Sequence, residues 1–466
     1  MAPTRGTAPP ADAAPRTGLP TDAGTSQPVP QPAPRTVRYT DDVPDAATAL
    51  HRGGLVAMPT ETVYGLAADA EDATAVARVF AVKGRPTTHP LIVHVRGHHD
   101  LDAWTVAVPE YARALARACW PGPLTLVLRR SALAGDHVTG GQDTVAVRAP
   151  DHPVAQALLE AFVRLGGRGL AAPSANRFGR VSPTCAEHVL AELGEVLDPE
   201  LDLVLDGGRS GVGVESTILD CTGPRPRILR PGAIDADRIA QVCGVRPLGP
   251  GAGAEDGPAA GEPAEAGVPG NGDRNPGNDG RNRAGNCDHD GERRPDKDRG
   301  RNREGARSLD TGTDGDAGAE QVRVPGNLAA HYAPRAEVLL VEADELADLT
   351  VDPDGGTADL SDRTADPSDR TAGQGSGTAG ATPDPGPGAS RPRTGLLAPA
   401  GVTTPPGVLR LASPVDAGDF ARLLYAVLRE ADDRDLRRIL VVPPPATGIG
   451  VAVRDRLRRA AVGSAR

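Results

Sequence analysis

The feature that most constrains this chain is a device it uses again and again: a short apolar run that ends in hydroxyl or guanidinium side chains beside proline or glycine. It first appears in Gly53–Asp69, GGLVAMPTETVYGLAAD. Leu55 to Met58 are enough for one buried strand. Pro59 then stops the ladder, because it has no backbone N–H to donate. Thr60, Glu61, Thr62 and Tyr64 crowd the turn that follows, Gly65 closes it, and the helix-like AEDATAVARVFAVK comes next. The device recurs in TVAVRAP, ending in Arg148, and in AAPSANRFGRVSPT, with Ser174, Asn176, Arg177, Arg180 and Ser182. It recurs again in GVGVESTIL, with Glu215, Ser216 and Thr217, and in ILRPG, ending in Arg230. One such turn reads equally well as a capped strand-to-helix connection. Repetition favours a polar, cation-rich cavity, since turns at the mouths of α/β sheets carry ligand groups.

The runs between these turns set the fold class. Strands are predicted at Leu55–Met58, Leu91–Val95, Leu124–Leu128, Thr144–Val147, Gly169–Ala172, Leu203–Leu205 and Ser216–Leu219. They alternate with helical patterns such as Pro109–Cys119 and Pro153–Leu165, the latter opened by a proline at its first position. This spells an α/β or α+β domain of about 200 residues. The chain has 466 residues, but 57 glycines, 46 prolines and 2% aromatics leave much of it unable to pack a core. Residues 1–35 read as a disordered tail and residues 246–320 as a low-complexity linker. Within the linker, Arg293–Arg307 is a spacer or a basic tether; interleaved acids favour the spacer. Order is expected to resume near Val322, with a disordered insert at about 352–392 where SDRTA repeats. Beyond it come a strand Val408–Leu411, a helix Asp416–Asp432, a strand Arg438–Val442 and a capped terminal helix in TGIGVAVRDRLRRAA, making a smaller α/β domain. Gly448 and Gly450 lack the third glycine and the acidic residue of a dinucleotide fingerprint.

Charge and cysteine use narrow the function classes. A net charge of −11 argues against tight capture of nucleic acid by the whole molecule, while leaving local basic pockets open. The five cysteines form no CxxC pair, so neither structural zinc nor a disulfide framework is expected. The N-terminus has no apolar core of a signal peptide and no long apolar span occurs, so the expected location is cytoplasmic.

Lys83, Gly84, Arg85, Pro86, Thr87 and Thr88 put two cations and two hydroxyls on one turn, either a solvated pair or a phosphate seat. His94 alternates with Val93 and Val95, which sends it to a core position or toward the same pocket. GxxxxGK[ST], HExxH, GxSxG and a Cys/His pair are all absent. Positioning and charge neutralisation remain, which suits an anionic substrate bearing a polyphosphate.

PTETVYGL, KGRP, HPLIVHV, WPGPLTLVL, DTVAVRAPDHP, APSAN, SPT, DGG, GVESTILD and ILRPG resemble the YrdC/Sua5 family, in that family's order. VPGNLAAHYAPRAEVLL resembles its linker motif and TGIGVAVRDRLRRAA the last helix of its second domain, so the likeness is to the long, two-domain form. The resemblance implies a YrdC-like domain at 36–245 with a twisted open sheet, a lid motif at 321–335 and a Sua5 C-terminal domain at 336–463. It implies synthesis of L-threonylcarbamoyladenylate from L-threonine, bicarbonate and ATP with Mg²⁺, releasing pyrophosphate. That is the first step of t6A modification beside the tRNA anticodon, with a tRNA threonylcarbamoyltransferase downstream. By position it places Thr60, His94, Arg148, Ala172 and Ser216 on threonine, Arg148 facing the carboxylate. Lys83, Thr87, Thr144, Ser174, Asn176, Ser182, Arg230, His331 and Tyr332 fall on ATP, with Lys83 and Arg85 as the catalytic cations and no metal-ligating side chain. His331 and Tyr332 are expected to cover the nucleotide, although Asn327–Ala330 departs from the family's basic and aromatic pattern. Two rival readings are a carbamoyl-adenylate-forming maturation protein, whose CxxC zinc modules are missing here, and an RNA-binding module using the basic concave face. A weak RNA contact and no membrane complete the expected partners.

Overall fold

The computed structural model describes residues 37–249, 322–326, 328–347 and 393–465. The expected tail, the linker beyond residue 249, the insert, Cys287 and Asn327 lie outside the described residues. The first unit holds strands β1 (Arg38–Thr40), β2 (Val56–Met58), β3 (Gly65–Asp69), β4 (Ile92–His94) and β5 (Leu124–Arg129). It continues with β6 (Thr144–Arg148), β7 (Leu170–Ala171), β8 (Leu203–Leu205), β9 (Thr217–Asp220) and β10 (Arg227–Arg230). They form one mixed sheet in the order β1-β8-β2-β3-β7-β4-β6-β5-β9-β10. The expected α/β class with a large open sheet is what the chain adopts.

Strand alternation assigns the two faces. Leu55 and Ala57, Leu91 and Val93, and Val145 and Val147 enter one core with the helix Ala73–Lys83. Val56 and Met58, with Leu170, Leu203 and Leu205, enter another, under the helices Val43–His51 and Pro153–Arg164. Those two helices cover the second face only over the β1-to-β7 half. Over the other half, Ile92, Val127, Ala146 and Ile218 meet Val324 instead of a helix. Residues 322–326 lie there as a strap. Arg323 fastens it, donating to the Thr88 and Gly140 carbonyls and exchanging backbone hydrogen bonds with the Gln142 amide.

The sequence reading missed β3. Gly65 opens a strand antiparallel to β2, so Thr60–Tyr64 is a hairpin tip and not a strand-to-helix turn. Three apolar residues after a glycine cannot by period be told from the start of a helix. Glycine is favoured there, because a Cβ would stand only 3.2 Å from that of Ala172 just beyond β7.

The second unit is a parallel sheet, β11 (Glu337–Leu340), β12 (Thr394–Leu397), β13 (Leu409–Ala412) and β14 (Arg438–Val441), in the order β11-β14-β12-β13. The helix Ala417–Asp433 is capped by the Asp416 carboxylate. The terminal helix Ile449–Ser464, expected to be capped, starts from Gly448 at φ 52° with no side-chain cap. Phe420, Leu424, Leu428, Val453 and Leu457 share one core with Val63, Val181 and Val214 of the first unit. The two units therefore join through packed apolar surface.

Candidate active site

The uncovered half of the sheet face is the floor of a cavity. Ile92 and His94 of β4, Arg148 of β6 and Arg230 of β10 rise from it. The hairpin tip supplies Thr60, Thr62 and Val63; the chain after β7 supplies Ala172, Pro173 and Ser174. Glu215 and Ser216 close one side, with Pro325, Gly326, His331 and Tyr332 above. The expected meeting of loop tips is thus half of the matter. The other half is a sheet face read at every second residue: His94 and Arg148 are direct neighbours in the β4–β6 register. About 50 Å³ remains free, room for a few waters and far too little for a nucleotide.

The turn is stiff. Thr60 Oγ1 donates to the Val63 carbonyl (2.6 Å) and accepts from the Val63 amide (3.2 Å). Tyr64 is buried and donates to the Gly208 carbonyl at 2.8 Å. Arg148 is buried and doubly engaged, Nη2 to Glu61 Oε1 at 2.6 Å and Nη1 to Thr62 Oγ1 at 2.9 Å. Glu61 Oε2 is buried with no partner. Burial, with Arg148 alongside, depresses His94 to about 3, so its ring is neutral.

At the other end the cations lack carboxylates. Arg230 donates to the Ser216 carbonyl and Oγ and to the Pro325 carbonyl, each at 3.1 Å. Burial lowers its pKa. Arg85 donates to the Pro90 carbonyl at 2.9 Å, leaves Nε without a partner and lies over the Phe178 ring at 5.8 Å. Burial brings it down to about 10. Phe178 meets His331 edge-on, His331 meets Tyr332, and Tyr332 stacks on Tyr425. His331 Nδ1 and the Tyr332 hydroxyl are buried and unpartnered, free to meet a ligand.

Five expected site residues stand elsewhere. Lys83 is buried in the last turn of its helix, donating to the Ser174 carbonyl at 2.5 Å and to that of Asn176. It braces the loop after β7 instead of lining the cavity; burial, then Arg85, takes its amine well below the ordinary value. The Asn176 amide holds the Arg177 and Arg180 carbonyls. Ser182 donates to Glu215 Oε1 at 2.7 Å. Thr87 is exposed on its turn. Thr144 starts β6, four residues and so about 13 Å from Arg148. Sequence reasoning placed Glu61 and Thr62 on a ligand-bearing turn without a specific role, and singled out none of Thr125, Phe178, Tyr425 or Arg456. Thr125 was legible, being on a strand face: its hydroxyl lies 2.8 Å from that of Ser216. The others depend on contacts far apart in the chain. Among the described residues no three His, Cys, Asp or Glu side chains converge as a metal cage, and no helix is long and apolar enough to cross a membrane.

Two family models match, one described as "Telomere recombination" (Sua5_yciO_yrdC) over residues 48–232, the other as "Threonylcarbamoyl-AMP synthase, C-terminal domain" over 303–462. The threonylcarbamoyl-AMP synthase of Pyrococcus abyssi is 47% identical over 199 residues, 43% of this chain and 56% of that one. The putative threonylcarbamoyl-AMP synthase of Mycobacterium tuberculosis is 40% identical over 200 residues, 43% of this chain and 88% of that one. The crystal structure of P. abyssi Sua5 complexed with L-threonine superposes with a TM-score of 0.61 at 28% identity, covering 92% of this chain and 98% of that one. In sequence, the chain spans 56% of the length of the P. abyssi and Bacillus subtilis relatives it matches.

Proposed function

The chain belongs to the Sua5/YciO/YrdC family, and from that premise we propose that its cavity joins L-threonine, bicarbonate and ATP into L-threonylcarbamoyladenylate, releasing pyrophosphate. One observation carries the reading. One cavity holds a carboxylate-paired guanidinium, Arg148 of the sheet face, at one end and, at the other, guanidiniums with no carboxylate partner among the described residues, Arg230 of the same face and Arg85 of the turn after the helix Ala73–Lys83. An amino acid suits the first end and a triphosphate the second.

The threonine carboxylate docks on Arg148, with Thr60, Ala172 and Ser216 around it. His94 is neutral and Glu61 offsets Arg148, so no net positive charge opposes the amine. The threonine ammonium passes one proton to bicarbonate, which breaks down to water and CO₂. The neutral amine adds CO₂ and loses a second proton to solvent, and a carbamate oxygen bonds to the α-phosphorus as the bond to the β-phosphate bridge breaks and pyrophosphate leaves. Arg230 and Arg85 face the charge that builds on pyrophosphate. Lys83 acts from behind by fixing the Ser174–Asn176 loop. Mg²⁺ bound with ATP would supply further charge neutralisation beside Arg230 and Arg85. The free space is far below the ~300 Å³ of a usual ligand pocket, so nucleotide entry displaces Gly326 and Tyr332 and binding closes them again. The product's consumer is a tRNA-modifying transferase, and the setting is cytoplasmic.

Pyrophosphate release from purified protein, with ATP, bicarbonate and each candidate acceptor in turn, tests this. Release that depends on threonine is the expected result. Release that needs carbamoyl phosphate, or is indifferent to threonine, overturns it.

A further inference from the structure

Glu215 is the one carboxylate among the described residues that line the cavity. It immediately precedes Ser216, whose carbonyl and hydroxyl anchor Arg230. A free carboxylate in that position would repel a triphosphate and pair with Arg230. Neither oxygen is free, however. Oε1 accepts from Ser182 at 2.7 Å, while Oε2 accepts from the Tyr425 hydroxyl at 2.8 Å and from Arg456 Nε at 2.9 Å. Tyr425 and Arg456 belong to two helices of the second unit. Arg456 is fully buried, reaches the Glu215 carbonyl and Asp455 with its remaining nitrogens, and lies over the Tyr332 ring at 5.5 Å. Such an ion pair is a weak argument for stability, because desolvation offsets most of its attraction. Its geometry makes better sense as charge management. With Glu215 claimed by Arg456, Arg230 keeps only carbonyl and hydroxyl partners.

We propose that Arg456 is a positioning residue of the second unit: by holding Glu215 it keeps Arg230 unpaired, and so sets the affinity of the cavity for the polyphosphate. The proposal rests on the nucleotide reading above for the identity of its ligand. It gives the second unit a role in substrate binding without any contact of its own to the nucleotide. Burial opposes the charge on Glu215, but Arg456 and Arg230 outweigh it and hold the carboxyl down at about 2, so the charge is present throughout the working range.

Calorimetry with ATP–Mg²⁺ on the full chain tests this as a double-mutant cycle. Arg456→Gln leaves a carboxylate to turn on Arg230, and ATP binds at least about tenfold more weakly. Arg456→Gln combined with Glu215→Gln removes that carboxylate and restores affinity to within about threefold of the parent. Should R456Q fail to fold, Arg456→Met, which keeps an unbranched stem and removes the charge, carries the same test, with weakened ATP binding that E215Q restores. A purely structural role instead makes the double variant as poor as R456Q or worse, which would overturn the proposal. So would an R456Q protein that binds ATP like the parent. Parent protein that binds ATP but shows no threonine-dependent turnover sinks the functional reading and leaves this proposal standing. Parent protein that takes up neither ATP nor pyrophosphate overturns both.

Discussion

Arg148 and Arg230 end strands of one sheet, rise from the same face and are both buried, yet they are differently prepared. Arg148 is clasped by Glu61 and Thr62. Arg230 has a carbonyl–hydroxyl cradle and no carboxylate within salt-bridge distance among the described residues. A paired guanidinium keeps its directional donors but little net charge, which suits a zwitterion. An unpaired one keeps its charge for a polyanion. Residue type is the same in both places, and the neighbours decide the task.

The contrast can be broken most severely at Arg230. Arg230→Ala is expected to cut the rate of pyrophosphate release by about 10²-fold or more while shifting the threonine KM little. A loss carried by the threonine KM would erase the distinction. Arg148→Lys removes the fork but not the charge. The threonine KM is expected to rise about tenfold or more with the ATP KM nearly unchanged, measured by the same assay under saturation of the other substrate. Lys83→Ala strips two backbone carbonyls of their donor. It should lower unfolding free energy by about 1.5–3 kcal/mol in a denaturant titration, together with any loss of activity. A variant with parental stability and no turnover would put Lys83 back among the groups that touch substrate.

The smallest effect is in pH. Burial, with the neighbouring cations, holds His94 and His331 at about 3, below the usual 6.5, so both are neutral when folded. The unfolded chain takes up protons first. Their contribution to stability is therefore intact above about pH 6.5 and is lost as pH falls from 6.5 toward 3. NMR of the imidazole protons should show no inflection for either ring between pH 5 and 8; an inflection would mean that the cavity around that ring is wetter or less positive than its geometry implies.

Most strands were legible because their alternation is local: Val145 and Val147 point to the core and Arg148 to the cavity by period alone. β3 was not, since GLAA carries too short a pattern. Thr144 and Thr87 stand outside the cavity as it is lined here, since being close in sequence to a motif does not fix which part of a strand or side of a turn borders it. A lid motif at 321–335, with His331 and Tyr332 over the nucleotide, was expected from its residues; within it, residues 322–326 form the strap. Its fastening by Arg323 and Gln142 was not, because that contact closes across 181 residues.

What the sequence determined by itself is the order of elements and the positions where hydroxyl and guanidinium groups interrupt apolar runs, since those follow from backbone periodicity and from proline and glycine. Tertiary structure alone decided that half of one sheet face would go without helices, that Lys83 would turn inward, and that Glu215 would be claimed by Arg456 from 241 residues away. The reason is physical. Periodicity acts between neighbours in the chain, whereas the partner of a buried charge is chosen by whichever opposite group the packed fold brings within hydrogen-bonding reach.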